Sequence, residues 1–302
     1  MEQPSKVGKN NKMTIPYPAV EMKSFFERLS KYQIIERTIN EHKFRFVIEE
    51  TRKNSFHACT IDDIQYILAQ IPKAMYFDLS LIILRQPKRK EENLNSVWGR
   101  LIYSYEFENE FYPAIIIEAI DYDKKFKWSN SLSIDYKTEL ERLKIDGHKI
   151  FETKRYFEAE YTIGNVRNTQ LYRTLLHEFG HYIHYQKVVI NPLSEIRTQL
   201  QAINKLIKDD DTAETNPLFE KWDKLDDEYR KKVEDLEEIY FSIPNSEKER
   251  FAHSSANRLK EELEMKRIIP FDRIFDDEKT LSDRLKIMDL SLYITSCILI
   301  IK

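Results

Sequence analysis

Residues 171–185 read LYRTLLHEFGHYIHY. Leu175, Leu176, Phe179 and Ile183 recur at helical spacing and predict a helix over roughly 169–187, with Asn168 or Thr169 able to cap its start. On such a helix positions i and i+4 share a face, with Cβ atoms about 5–6 Å apart. His177 and His181 can therefore chelate one ion through neutral imidazole nitrogens, at about 2.0–2.1 Å for zinc. Glu178 lies one position on, roughly 100° round the helix, and reaches a water on the metal without taking a ligand position. Zinc lowers the pKa of that water towards about 7, and Glu178 is placed to accept its proton and pass it to a leaving amine. Gly180 is a poor helix former, about 1 kcal/mol worse than alanine, and a small residue there would let another element pack close beside the metal. The competing reading is two histidines on an ordinary amphipathic helix, since a bare HExxH arises by chance.

The rest of the chain bounds the answer. Its 302 residues, 41% hydrophobic and 33% charged, suit a globular protein with an ample core. A net charge of −3 gives no basic excess of the kind nucleic-acid binding needs. The five glycines form no GxGxxG or Walker-type loop, which argues against a nucleotide-phosphate cradle. Cys59 and Cys297 stand far apart and make neither a disulfide framework nor a CxxC pair. The polar start MEQPSKVGKNNKMTIPYP lacks an apolar signal segment, and a reducing cytoplasm is the expected compartment. The apolar run LSLYITSCILII, residues 290–301, is too short for a bilayer, which needs about 20 residues, and is expected to be a buried strand or helix with no firm membrane association.

Along the chain, residues 1–13 are expected to be disordered, followed by a helix carrying Phe25, Phe26, Leu29 and Tyr32. KFRFVIEE (43–50) alternates and predicts a strand. Thr60 and Asp63 open a helix that runs towards Pro72. Three strands are predicted at 79–85, 98–107 and 112–120, with the charged loop QPKRKEEN (86–93) expected to be exposed. Residues 148–163 predict a further strand or hairpin. After Pro192, residues 193–208 and 217–240 read as a helical hairpin joined by KDDDTAETNP, with mostly solvated charged faces. Pro244 breaks the chain and Ser246 begins another helix. The expected organisation is a disordered stretch at 1–13, an α+β subdomain at 14–190 and a helical subdomain at 191–302.

The HEFGH helix, set after strands and before a later helix, resembles the zincin metallopeptidases over about residues 60–260. The resemblance implies an α+β fold in which a mixed sheet packs on the active-site helix, a single zinc ion, and a sheet edge that holds a peptide substrate as an added strand. A catalytic site needs a third protein ligand and an open position. Metzincins extend the motif to HExxHxxGxxH; here His184 and Lys187 occupy the corresponding positions, which disfavours that branch and leaves His184 to packing or to supporting a ligand. Gluzincins take a glutamate from a later helix, often as ExxxD or ExxAD. Glu249-Arg-Phe-Ala252-His253 matches at the glutamate and the small residue, and has His253 where the family has aspartate. The family's aspartate buttresses a ligand histidine; His253 is instead a candidate donor to the oxyanion. Ser246 to Glu249 also fits a capping box in which the glutamate merely satisfies a helix start, and Glu195, Glu247, Glu261 and Glu262 are rivals for the ligand. For the oxyanion, Tyr240 and Tyr185 stand beside His253 as candidates. His42, His57 and His148 are read as structural or exposed.

The expected function is that of a zinc-dependent endopeptidase of gluzincin type, with His177, His181 and Glu249 as metal ligands, Glu178 as general base and a protein or peptide as substrate. The alternative is a regulatory or toxin-like zinc protein similar to the ImmA/IrrE family, which binds a protein partner and cleaves it conditionally. That family's third ligand usually follows HExxH sooner. A third reading is a helical scaffold without metal. Two imidazoles and a carboxylate suit zinc, and Glu178 favours chemistry over binding alone.

Overall fold

The computed structural model describes residues 29–53, 55–88, 98–121, 126–132, 134–208 and 217–272. The expectations for residues 1–13, for Phe25 and Phe26, for residues 209–216 of the hairpin connection and for residues 290–301 lie outside them.

The molecule is mixed α/β. Five strands form the main sheet: β1 (Tyr32–Ile39), β2 (His42–Glu49), β4 (Leu81–Arg85), β6 (Glu110–Glu118) and β5 (Gly99–Phe107), in that spatial order. Short β3 (Ser55–Phe56) pairs with β7 (Ile120–Asp121) beside it. β2, β4 and β6 run parallel, and β1 and β5 are antiparallel additions at the two edges. The central strands are near-continuous apolar runs because both faces of a parallel interior are covered. Phe46, Ile48, Ile82, Leu84, Ile115 and Ile117 point to one face, where the helices pack. Val47, Leu81, Ile83, Ala114 and Ile116 point to the other.

Tyr32 does not belong to a helix. It opens β1, which pairs with β2 through a two-residue turn in which Asn40 and Glu41 both have positive φ, 49° and 60°. That is the turn geometry whose twist matches paired strands; the β-branched residues of YQIIERTI then fit the sheet. The strand over 42–49 and the three at 81–85, 99–107 and 110–118 fall where the sequence places them. Gln86, at the start of the loop expected to be exposed, is instead buried, with its N–H donating to Glu49 Oε2 at 2.8 Å.

Helix α1 (Ile61–Leu68) starts with the expected capping box of Thr60 and Asp63. Residues 121–167, only partly readable from sequence, contain β8 (Phe126–Ser129), α2 (Ile134–Ile145) and a hairpin of β9 (Lys149–Glu152) and β10 (Tyr156–Glu160). The helical run that carries HEFGH begins earlier than the sequence indicates. Thr162 caps α3 (Ile163–Thr169), accepting from the Asn165 N–H at 3.2 Å. The run widens into a π turn (Gln170–Leu175), returns to α geometry in α4 (Leu176–Tyr185), and widens again (Gln186–Ile190). Asn168 and Thr169 are therefore internal, and the Thr169 hydroxyl donates to Asp146 Oδ2 at 2.8 Å.

Helices α5 (Ser194–Lys208) and α6 (Pro217–Ser242) are the predicted helical pair, and α7 (Asn245–Met265) follows. Ala256, Leu259 and Leu263 of α7 share the core beneath the sheet with Leu175, Leu176 and Phe179. Among the described residues no helix is long and apolar enough to cross a membrane.

Candidate metal centre

The apolar face of α4 fixes the motif. Leu176, Phe179 and Ile183 are buried against the sheet and α7, which turns His177 and His181 towards α7. Gly180 makes the close approach possible. A Cβ built on it would lie 2.7 Å from the Ala252 carbonyl oxygen and 3.0 Å from the Ala252 Cα, so only glycine lets the two backbones meet here.

That contact brings Glu249 to the histidines. Its Oε2 is 3.1 Å from His177 Nε2, its Oε1 is 3.4 Å from His181 Nε2, and the two Nε2 atoms are 3.1 Å apart. A tetrahedral ion with bonds of about 2.0–2.1 Å spaces its donors about 3.3–3.4 Å apart. The three separations bracket that edge, so the donor set fits a small borderline cation. Glu249 is half-exposed, and the imidazoles of His177 and His181 hold its carboxyl well below the usual carboxylate range. Glu249 caps nothing: α7 starts one residue before the predicted Ser246, at Asn245 after Pro244, without a side-chain cap bond.

His253 is the fourth member of the group. It follows Glu249 by one turn of α7, with Nε2 4.0 Å from Glu249 Oε2, and its ring centroid is 4.3 Å from that of His177. Donor atoms of His177, Glu249 and His253 lie within 4.8 Å of one another. Two overlapping triads thus share His177 and Glu249. The one completed by His181 has the tighter separations and makes the better primary site. Burial, reinforced by His177 and Arg142, draws the His253 imidazole down to about 4. Glu195, Glu247, Glu261 and Glu262 are not among the clustered donors.

Glu178 faces the sheet edge. Its Oε2 accepts the Leu101 N–H of β5 at 2.8 Å. Burial pushes its carboxyl above the usual range, while the two imidazoles and the Leu101 N–H pull the other way. This backbone partner is invisible in sequence, because it depends on where an edge strand seventy-odd residues upstream comes to lie. Next to it the strand bulges: Ile102 opposes Ala114 and Tyr105 opposes Tyr112, so Tyr103 and Ser104 together face Pro113. Proline has no N–H to give to the ladder, and a bulge accommodates that loss.

The remaining candidates are otherwise engaged. The Tyr240 hydroxyl meets that of Tyr103 at 2.7 Å and lies 3.5 Å from the His181 carbonyl oxygen, and the Tyr185 hydroxyl donates to Glu237. His184 stacks on Phe251 with centroids 4.2 Å apart and stays out of the donor group. His42, His57 and His148 hydrogen-bond to the Leu79 carbonyl, the Glu49 carbonyl and the Thr169 hydroxyl, as structural residues do. The Nδ1 of His177 is buried without a hydrogen-bond partner among the described residues. No described carboxylate meets that nitrogen. No family model matches the chain, and no curated protein or solved structure matches it.

Proposed function

We propose that the protein is a zinc-dependent endopeptidase of gluzincin type, with a zincin-like arrangement of sheet and active-site helix. The observation that carries this reading is the convergence of His177, His181 and Glu249 from two helices at 3.1–3.4 Å, with Glu178 directly beside them. The antiparallel edge strand β5 next to α4 supports it, because an edge strand can hold an extended peptide by main-chain pairing.

His177, His181 and Glu249 would hold the ion. When bound, zinc activates a water and polarises the scissile carbonyl as a Lewis acid. Glu178 takes up a proton from the attacking water at its carboxylate and delivers it to the departing amine. Burial raises the proton affinity of Glu178 against the opposing pull of the imidazoles, which suits a group that must hold a proton between two transfers. The β5 edge orients the peptide. Tyr240 and Tyr185 have their hydroxyls committed elsewhere, so His253 is the candidate left to face the developing oxyanion. The substrate is a protein or peptide, and a reducing cytoplasm suits the buried Cys59 thiol, which donates to Gln170 Oε1.

The test is metal content by elemental analysis after exhaustive dialysis, wild type beside Glu249→Ala. About one zinc per chain, largely lost in the variant, is expected. A wild-type chain that stays metal-free when zinc is supplied overturns the reading.

A further inference from the structure

Two helices present matched pairs at this site. In α4 the ligands are His177 and His181, four residues apart, with Gly180 between them. In α7 Glu249 and His253 are four residues apart, with Ala252 between them. Gly180 and Ala252 meet backbone to backbone, so the two i, i+4 pairs face each other across the closest point of the helix contact. His177 and Glu249 are thus shared by two sets of donors, one completed by His181 and one by His253. His253 Nε2 stands 4.0 Å from Glu249 Oε2, about 0.7 Å beyond the edge of a zinc tetrahedron, so its entry into the shell requires its side chain to turn towards the other donors.

Donor number decides what a zinc site does. Three protein ligands leave a position for water or substrate, and four close the shell. Resting on the zinc-site reading above, we propose that His253 is a displaceable fourth ligand: the metal-loaded site rests closed by three imidazoles and one carboxylate, and an incoming oxygen ligand opens it by taking the place of His253. The chain thereby carries its own latency on the helix that supplies the third ligand. Loss of His253 from the shell returns its ring to the place it holds beside His177, within reach of the arriving ligand.

The experiment counts ligands without relying on activity. The full chain is loaded with cobalt(II) or zinc, and imidazole donors are counted by the visible spectrum of the cobalt form and by X-ray absorption of the zinc form. Wild type, His253→Ala and the volume-conserving His253→Gln are compared, the glutamine variant guarding against misfolding. Three imidazoles are expected in wild type and two in both variants, and acetohydroxamate should lower the wild-type count to two while leaving the variants' count unchanged. Metal affinity should fall by about tenfold or more in the variants; a mere supporting role for His253 could do the same, so the spectra decide. An identical two-imidazole spectrum in wild type and variants overturns the proposal and leaves the endopeptidase reading standing. Three imidazoles that acetohydroxamate cannot reduce overturn displaceability and make the site structural. A wild type that binds no metal overturns both readings together.

Discussion

Gly180 lies so close to Ala252 that a methyl group added to it would stand 2.7 Å from the Ala252 carbonyl oxygen. The obstruction is backbone, which cannot swing aside as a flexible side chain would. The donor separations across the two helices depend on this contact, because Glu249 and His253 flank Ala252 while His177 and His181 flank Gly180.

Gly180→Ala is therefore expected to lose more by overpacking than it gains in helix propensity. The propensity gain is about 1 kcal/mol, and forcing two packed helices apart costs about 1–3 kcal/mol. Urea unfolding should show a net loss, and equilibrium dialysis should show weaker metal binding. A stabilised variant with unchanged metal affinity would sink the idea that this contact sets the site.

Glu178→Gln keeps the shape of the side chain and removes its ability to take up a proton. Peptide cleavage by the zinc-loaded protein should fall by about 10²–10⁴-fold while zinc content stays at the wild-type level. Loss of zinc in this variant would instead make Glu178 a ligand.

Tyr240→Phe separates packing from chemistry. The change strips the Tyr103 hydroxyl of its partner at 2.7 Å and should lower stability by about 1 kcal/mol in urea unfolding. Turnover should stay within about twofold of wild type. A donor to the oxyanion would show a loss of about 10²–10³-fold, and such a loss would return Tyr240 to the catalytic machinery.

Acid should weaken the fold through His57. The ring is buried with Nε2 2.7 Å from the Glu49 carbonyl oxygen, and burial lowers its pKa from 6.5 to about 4. The unfolded chain takes up this proton near 6.5 and the folded chain only near 4. The stabilising contribution is thus complete above about pH 6.5 and is lost as pH falls towards 4, by up to about 3 kcal/mol. Urea unfolding between pH 7 and pH 4.5 should show this slope, and it should flatten in His57→Asn. Equal slopes in the two proteins would assign the acid sensitivity elsewhere.

What could be read from sequence was local. The HEFGH pair, the Glu249 to His253 spacing and the Thr60 capping box are patterns within five residues, and each falls on the helix expected for it. The small residue at 180 also pointed to a close neighbour, found as Ala252. Long-range relationships were not legible. Tyr32–Ile39 is a strand because β2 lies beside it, and nothing within the segment announces that partner. The Leu101 N–H reaches Glu178 from an edge strand, and Arg167 of α3 pairs with Asp63 of α1 at 2.8 Å across more than a hundred residues. The start of the helix that carries HEFGH was misplaced for a different reason. Periodicity at 3.6 residues per turn loses phase where the helix widens, and the Gln170–Leu175 turn stands between the true cap at Thr162 and the motif.

That same turn sets how His177 and His181 are phased against everything upstream. A π turn holds about one residue more than an α turn, and one residue is worth about 100° of rotation. Removing a single residue between Gln170 and Leu175 would let this stretch close as an ordinary α turn and leave His177 and His181 near their present phase, whereas removing one from the α-helical Ile163–Thr169 would swing them by about 100° relative to the cap at Thr162. The helix should accordingly tolerate the loss of one residue within 170–175 more readily than a loss within 163–169.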